Sequence, residues 1–141
     1  MTPHQIDLVR ASHALVTPIG PQVAAVFYDR LFTADPALRR FFKGDIDVQG
    51  ERLLAMIGAA VHLLDRPGSL LPALRVLGVR HAGCGIRAAH YATIGSVWLD
   101  TLAEAQGPAF SAEVHAAWSA MLELVRHAML DAAEESAALP A

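Results

Sequence analysis

The chain has a single cysteine, Cys84. No internal disulfide can form, so stability must come from packing, and a reduced, cytoplasmic setting is expected. Charge is also scarce: Asp, Glu, Lys and Arg make up 18% of the 141 residues, with a net charge of −3. No run of basic residues offers a phosphate footprint, which argues against nucleic-acid binding. The start, Met1-Thr2-Pro3-His4-Gln5, lacks the basic residues and apolar stretch of a signal peptide. The longest apolar run, Leu53 to Val61 and on to Leu64, falls short of the about 20 residues a membrane span needs. Strict apolar–polar alternation between turn signals is missing as well, so no strand is expected. There is no internal repeat and no low-complexity tract.

What is present is apolar. Hydrophobic residues make up 54% of the chain, and the mean hydropathy is +0.36. A disordered chain is excluded. The length suits one domain, residues 1–141, with a real core. The apolar content exceeds what an ordinary helical domain of this size needs. That points to an additional apolar surface, such as a cofactor pocket or a subunit interface.

The pattern is helical throughout. Thr2-Pro3-His4-Gln5 reads as a capping box with proline at the first helical position, and Ile6, Val9, Ala14 and Val16 fit one face. Pro18-Ile19-Gly20-Pro21 breaks that helix and opens the next, where Val23, Val26, Phe27, Leu31 and Phe32 recur at helical spacing. Asp35-Pro36 caps a short helix that runs into Phe41-Phe42. After a loop from Lys43 to Asp47, a long helix is expected to about Asp65. Arg66-Pro67-Gly68 reads as a break. Further helices are expected over Leu70–Ala82, Ala88–Ala105 and from a Ser111 cap to about Glu135. The tail from Ser136 to Ala141 should fray.

His81 carries the most chemistry. It lies near a helix end in Leu77-Gly78-Val79-Arg80-His81, and Tyr91 follows ten residues later. Alone, such a histidine also reads as a helix-end cation favoured by the dipole. Upstream stand Gln49, Phe42 and Tyr28. Together these residues supply one nitrogen ligand, one aromatic wedge and two hydrogen-bonding side chains. That is the inventory for an iron porphyrin with a diatomic gas on its far side.

The segments Val26-Phe27-Tyr28-Asp29-Arg30-Leu31-Phe32, Leu38-Arg39-Arg40-Phe41-Phe42, Val48-Gln49-Gly50-Glu51-Arg52-Leu53 and Leu77-Gly78-Val79-Arg80-His81 occur in order. Gly107-Pro108-Ala109-Phe110-Ser111 and Ala116-Ala117-Trp118-Ser119 follow them. Their joint spacing resembles the globin family over almost the whole length. The similarity is to single-domain bacterial haemoglobins, to the globin domain of flavohaemoglobins and to neuroglobin-like members. The resemblance implies an all-α globin fold with helices packed around a haem pocket, and His81 as the iron ligand. It implies Phe42 as the haem wedge, and Tyr28 with Gln49 as the gas-side pair. No Cys-x-x-Cys-His tethers a c-type haem, so haem b is expected.

The residue chemistry agrees. Ferrous haem takes a neutral imidazole, and the second ring nitrogen of His81 then needs an acceptor, which a carbonyl of the preceding turn would supply. Tyrosine and glutamine can each donate to a bound gas that carries negative charge, worth about 1.5–3 kcal/mol. Glutamine is also a poor iron ligand, and neuroglobin-like relatives carry histidine there. The change implies an open or water-bound sixth position. The alternatives are a core aromatic for Tyr28 and a solvated residue for Gln49.

Further positions have double readings. Leu53 shares the face of Gln49 and should crowd the ligand. Arg52 reaches a haem propionate or is a solvated cation. Ile86 and Ile94 line the haem edge or belong to the core. Tyr91 resembles the proximal-side tyrosine of bacterial haemoglobins. In flavohaemoglobin-like proteins a glutamate on the last helix completes a triad with it. Here that position is Ala133, next to Glu134, which weakens any peroxidase-like reading. Cys84 reads as a small apolar residue or a redox handle, and His62 as an outer-face residue.

The function these features imply is reversible binding of dioxygen, with nitric oxide and carbon monoxide as competing ligands. Oxygen binding, storage or transport is one reading. Nitric oxide dioxygenation with a separate reductase is a second. An oxygen or redox sensor acting with a partner is a third, and a haem-free helical regulatory module is the non-globin alternative.

Overall fold

Short polar caps start the helices where the sequence places them. In the computed structural model, which describes residues 1–139, the Thr2 hydroxyl accepts from the Gln5 amide at 3.1 Å and the Gln5 side chain accepts from the Thr2 amide at 3.0 Å. Helix α1 (Pro3–Val16) follows. A 3-10 turn over Thr17–Ile19 leads into α2 (Gly20–Ala34). Asp35 caps a 3-10 helix, Pro36–Phe41, and Asp45 caps α3 (Ile46–His62). Helix α4 spans Pro67–Gly83, α5 Ala88–Gln106 and, after a 3-10 turn at Gly107–Ala109, α6 Ala112–Ala138 behind its Ser111 cap.

No strand occurs among the described residues, and none of their helices is long and apolar enough to cross a membrane. The fold is the expected all-α one.

Three boundaries differ from expectation, the first being that α3 ends at His62 instead of about Asp65. Arg66-Pro67-Gly68 opens α4 instead of merely separating helices, because proline at the first helical position gives up an amide that has no partner there. The last helix continues to Ala138, into the segment expected to fray; positions 140 and 141 of that segment lie outside the described residues.

The helices pack α4 on α6, α2 on α5 and α3, and α1 on α6. Phe27, Leu31, Leu38, Trp98, Leu102 and Trp118 are fully enclosed. Edge-on aromatic contacts link Phe27 to Trp98 at 5.8 Å and Trp98 to Trp118 at 6.0 Å.

On α1 the inward face includes Ser12, while Ala14, expected there, is exposed. Ser12 is tied into a polar knot: it accepts from the Trp118 indole at 2.9 Å and donates to Gln106 at 2.8 Å. That knot lets a hydroxyl sit in the core without losing hydrogen bonds.

One close approach positions the end of α4. A Cβ placed on Gly78 would stand 2.2 Å from the Met129 carbonyl oxygen. The backbones of α4 and α6 therefore meet with no side chain between them, three residues before His81. Beyond the helix, Gly85 takes φ +95°, which only glycine adopts without strain. The turn folds back so that the Ile86 amide donates to the His81 carbonyl at 3.0 Å.

Gly78→Ala is expected to lower the unfolding free energy by about 3 kcal/mol, since backbone on both sides cannot move aside. Gly83→Ala, with nothing within 4 Å of the added atom, should stay within about 0.5 kcal/mol of the parent. Urea unfolding of both variants checks this.

His13, on α1, lies 3.7 Å from where a Cβ on Gly58 of α3 would sit, and burial holds its imidazole below the usual 6.5. With a depressed folded-state pKa, the unfolded chain binds the proton first. The stabilisation is therefore complete above pH 6.5 and is lost as the pH falls below that value toward the folded pKa. His13→Gln should flatten this part of the stability–pH curve, measured by unfolding from neutral to mildly acidic pH.

Candidate cofactor pocket

His81 occupies the last turn of α4 and is half-buried. Its Nδ1 lies 2.9 Å from the Leu77 carbonyl oxygen. A carbonyl can only accept, so Nδ1 carries the proton and Nε2 presents a free lone pair. This is the preceding-turn carbonyl that the residue chemistry called for. Burial pulls the His81 pKa down, partly opposed by the Leu77 hydrogen bond. The ring is thus neutral, with a fixed tautomer, as a metal-binding imidazole must be.

A second group of predicted residues centres on Tyr28. Its ring is buried and packs edge-on against Phe27 and Phe42, both at 5.2 Å. The hydroxyl donates to the Gln49 backbone carbonyl at 3.2 Å. Burial pushes its pKa up to about 12, so the phenol remains a donor at neutral pH. Phe42 is half-buried and also meets Phe32 at 5.8 Å.

Gln49 is half-buried in the first turn of α3, and its side-chain amide donates to the Lys43 carbonyl at 3.0 Å. The structure therefore joins Tyr28 and Gln49, but through the Gln49 main chain. Its side chain fastens the loop between Phe41 and α3. The reason is local: Lys43 lies in the loop before α3, where its carbonyl has no helical donor, and the glutamine amide supplies one.

The remaining predicted residues fall into two groups. Leu53, Tyr91 and Ile94 are half-buried and pack on the core, and burial raises the Tyr91 pKa. Ile86 is half-buried in the turn after α4. Arg52 is exposed. Cys84 is a free, exposed thiol. His62 is exposed, as an outer-face residue should be, and Ala133 is half-buried beside an exposed Glu134.

Sequence reasoning missed two recesses. One, about 440 Å³, lies between α2 and α3 and takes in Tyr28, Phe32, Gly50 and Leu54. The other, about 610 Å³, is lined by Arg40, Phe41, Lys43, Cys84, Gly85, Arg87 and His90. Their lining joins segments distant in sequence, so no local motif announces it. Neither recess includes His81.

These residues fit a flat apolar macrocycle that brings its own metal. Phe42, Leu53, Ile57, Leu77, Ile86, Tyr91 and Ile94 all retain partial exposure although they are apolar, and Met56 is 45% exposed. No cluster of three or more His, Cys, Asp or Glu suited to a bare metal ion occurs among the described residues. A single neutral imidazole beside uncovered apolar side chains is the donor set a porphyrin iron requires.

Comparisons with known proteins agree with this geometry. The chain is 30% identical over 123 residues to the flavohemoprotein of Bordetella parapertussis, a match covering 85% of this chain and 31% of the relative. It is 26% identical over 134 residues to the flavohemoprotein of Vibrio cholerae, covering 93% and 34% respectively. The chain thus spans about a third of the length of these relatives. Among solved structures it resembles an engineered carbene transferase built on a Rhodothermus marinus protein described as a candidate nitric oxide dioxygenase. That likeness has a TM-score of 0.84 at 23% identity, covering 98% of this chain and 96% of the other. The globin family model matches residues 25–129, and the chain belongs to the globin family.

Proposed function

We propose that residues 1–141 form a single globin domain that holds haem b and reversibly binds dioxygen, with nitric oxide and carbon monoxide as competing ligands. The observation that carries this reading is His81, neutral and oriented by the Leu77 carbonyl at 2.9 Å. His81 Nε2 would hold the iron. Phe42, Leu53, Ile86, Tyr91 and Ile94 would cover the porphyrin, and Arg52 would meet a propionate. When bound, haem supplies an iron whose sixth position accepts a diatomic gas.

Tyr28 controls polarity on the gas side. Its hydroxyl is already held by the Gln49 carbonyl, so donating to a ligand means giving up a bond worth about 1 kcal/mol. A bond to a charged acceptor is worth about 1.5–3 kcal/mol. The difference leaves about 0.5–2 kcal/mol, or roughly a tenfold effect. Gln49 contributes by positioning: its main chain holds the tyrosine and its side chain holds the loop.

A second reading, nitric oxide dioxygenation, is favoured by the relatives. They are named flavohemoproteins and are about three times as long as the region matched. This activity consumes an electron per turnover, so a flavin-containing reductase would have to act with the chain.

An absorption spectrum of the purified protein tests the main reading. A Soret band is expected. His81→Gly should lose most of the haem, with added imidazole restoring it, and full haem retention with an unchanged ferrous spectrum would overturn the ligand assignment.

Tyr28→Phe should raise the oxygen dissociation rate about tenfold, by stopped-flow measurement. Carbon monoxide dissociation should change far less, because that ligand gathers little negative charge. Equal effects on both gases would mean that the tyrosine acts by packing.

A further inference from the structure

We propose that the recess formed by Arg40, Lys43 and Arg87 is the docking site for an acidic electron-donor protein. The proposal rests on the haem reading above. Three observations support it: charge, position and exposure.

Acidic residues outnumber Lys and Arg in the chain, 14 to 11. Four cations elsewhere are matched: Arg10 pairs with Asp65, Arg30 with Glu104, Arg75 with Glu135 and Arg126 with Glu123, while Arg39, Arg52, Arg66 and Arg80 pair with no described carboxylate. The recess differs by gathering three unmatched cations in one lining. Arg40, Lys43 and Arg87 line it together with His90, none of the three cations pairs with a described carboxylate, and no acidic side chain is in its lining. Cations grouped in this way, without counter-charge, steer an acidic partner and raise its encounter rate.

The recess also adjoins the pocket. Its wall includes Cys84 and Gly85, which directly follow the last turn of α4 carrying His81. The Phe41 ring lies 3.5 Å from where a Cβ on Gly85 would sit, and Phe41 precedes Phe42 in the chain. A protein seated there would be close to the proposed haem edge, where a donor must approach.

The exposure of the cations argues for a protein over a small anion. Arg40, Lys43 and Arg87 are all exposed around about 610 Å³. They do not converge as buried donors around a compact ion. Arg40 lies over the Phe41 ring, 4.8 Å from guanidinium carbon to ring centroid, a cation–π contact that restrains the side chain. The Arg87 main chain is tied down, its amide donating to His90 Nδ1 at 2.8 Å, while its guanidinium is free of carboxylates. Exposed charges of this kind give transient, salt-sensitive docking, which suits a donor that binds, delivers one electron and leaves. In that exchange the donor's reduced flavin loses one electron, ferric iron gains it, and no bond forms or breaks.

The test uses the haem-loaded protein and flavodoxin, a small acidic flavoprotein. Binding of oxidised flavodoxin, which transfers nothing, is followed by calorimetry at low ionic strength. Affinity should fall about tenfold or more in the Arg40→Glu/Arg87→Glu double variant, and should collapse for the parent near 1 M salt, where charges are screened within about 3 Å. Arg66→Glu, on the turn before α4, should bind as the parent does. The rate of ferric reduction by reduced flavodoxin should fall in parallel, while dithionite reduces parent and double variant alike.

Undetectable binding to the parent, or equal binding by parent and double variant, overturns the proposal. Saturation of the recess by inorganic phosphate with the same dependence on Arg40 and Arg87 would reassign it to a small anion. Loss of the Soret band in the double variant would reassign it to the haem carboxylates. A parent without a Soret band would instead refute the haem reading itself, which separates the two failures.

Discussion

The contact between Gly78 and the Met129 main chain sets the geometry of the rest. Helix packing usually keeps axes 8–10 Å apart with side chains between them. Here a Cβ on Gly78 would overlap the Met129 carbonyl at 2.2 Å, so α4 is pressed against α6 by backbone. With that approach fixed, the last turn of α4 has little freedom to rotate. His81 then presents its ring where the Leu77 carbonyl can fix its tautomer. The α4–α6 pair thus anchors the helix that carries His81.

The surroundings of Tyr28 are built differently. Tyr28 sits among rings, with Phe27, Phe32 and Phe42 all within 5.8 Å by centroid. Gly50 lets α3 come close to α2, its Cβ direction lying 3.1 Å from the Ala24 methyl. This packing brings the Gln49 carbonyl within reach of the Tyr28 hydroxyl. A buried phenol needs a partner, and the one it finds competes with any ligand for the same proton. Ligand affinity is thereby a difference between two hydrogen bonds and not the strength of one.

Charge is arranged around the pocket instead of within it. The polar groups of His81, Tyr28 and Gln49 are each engaged by a carbonyl, which leaves the interior nearly neutral. Three unmatched cations, Arg40, Lys43 and Arg87, line the recess beside the turn after α4. A neutral interior suits an apolar cofactor, and a cationic recess can select what approaches it without disturbing the gas site.

Helix content and most helix starts were legible in the sequence, because caps and apolar periodicity are local. Thr2, Asp35, Ser111 and the 3.6-residue spacing in α2 act over one or two turns. His81, Tyr28, Phe42 and Gln49 were named as candidates from residue type, spacing and family resemblance. Ser12 in the core was not, because its burial depends on Trp118 and Gln106, about a hundred residues away. Nor was the turn of the Gln49 side chain toward Lys43, since a glutamine amide takes whichever acceptor the folded chain brings near. The cationic recess required the segment after Phe41 to meet the turn after α4. The sequence by itself determined which groups are available and which helices carry them. Tertiary structure decided which of those groups face one another, because hydrogen-bond partners and charge clusters depend on distances that only packing sets.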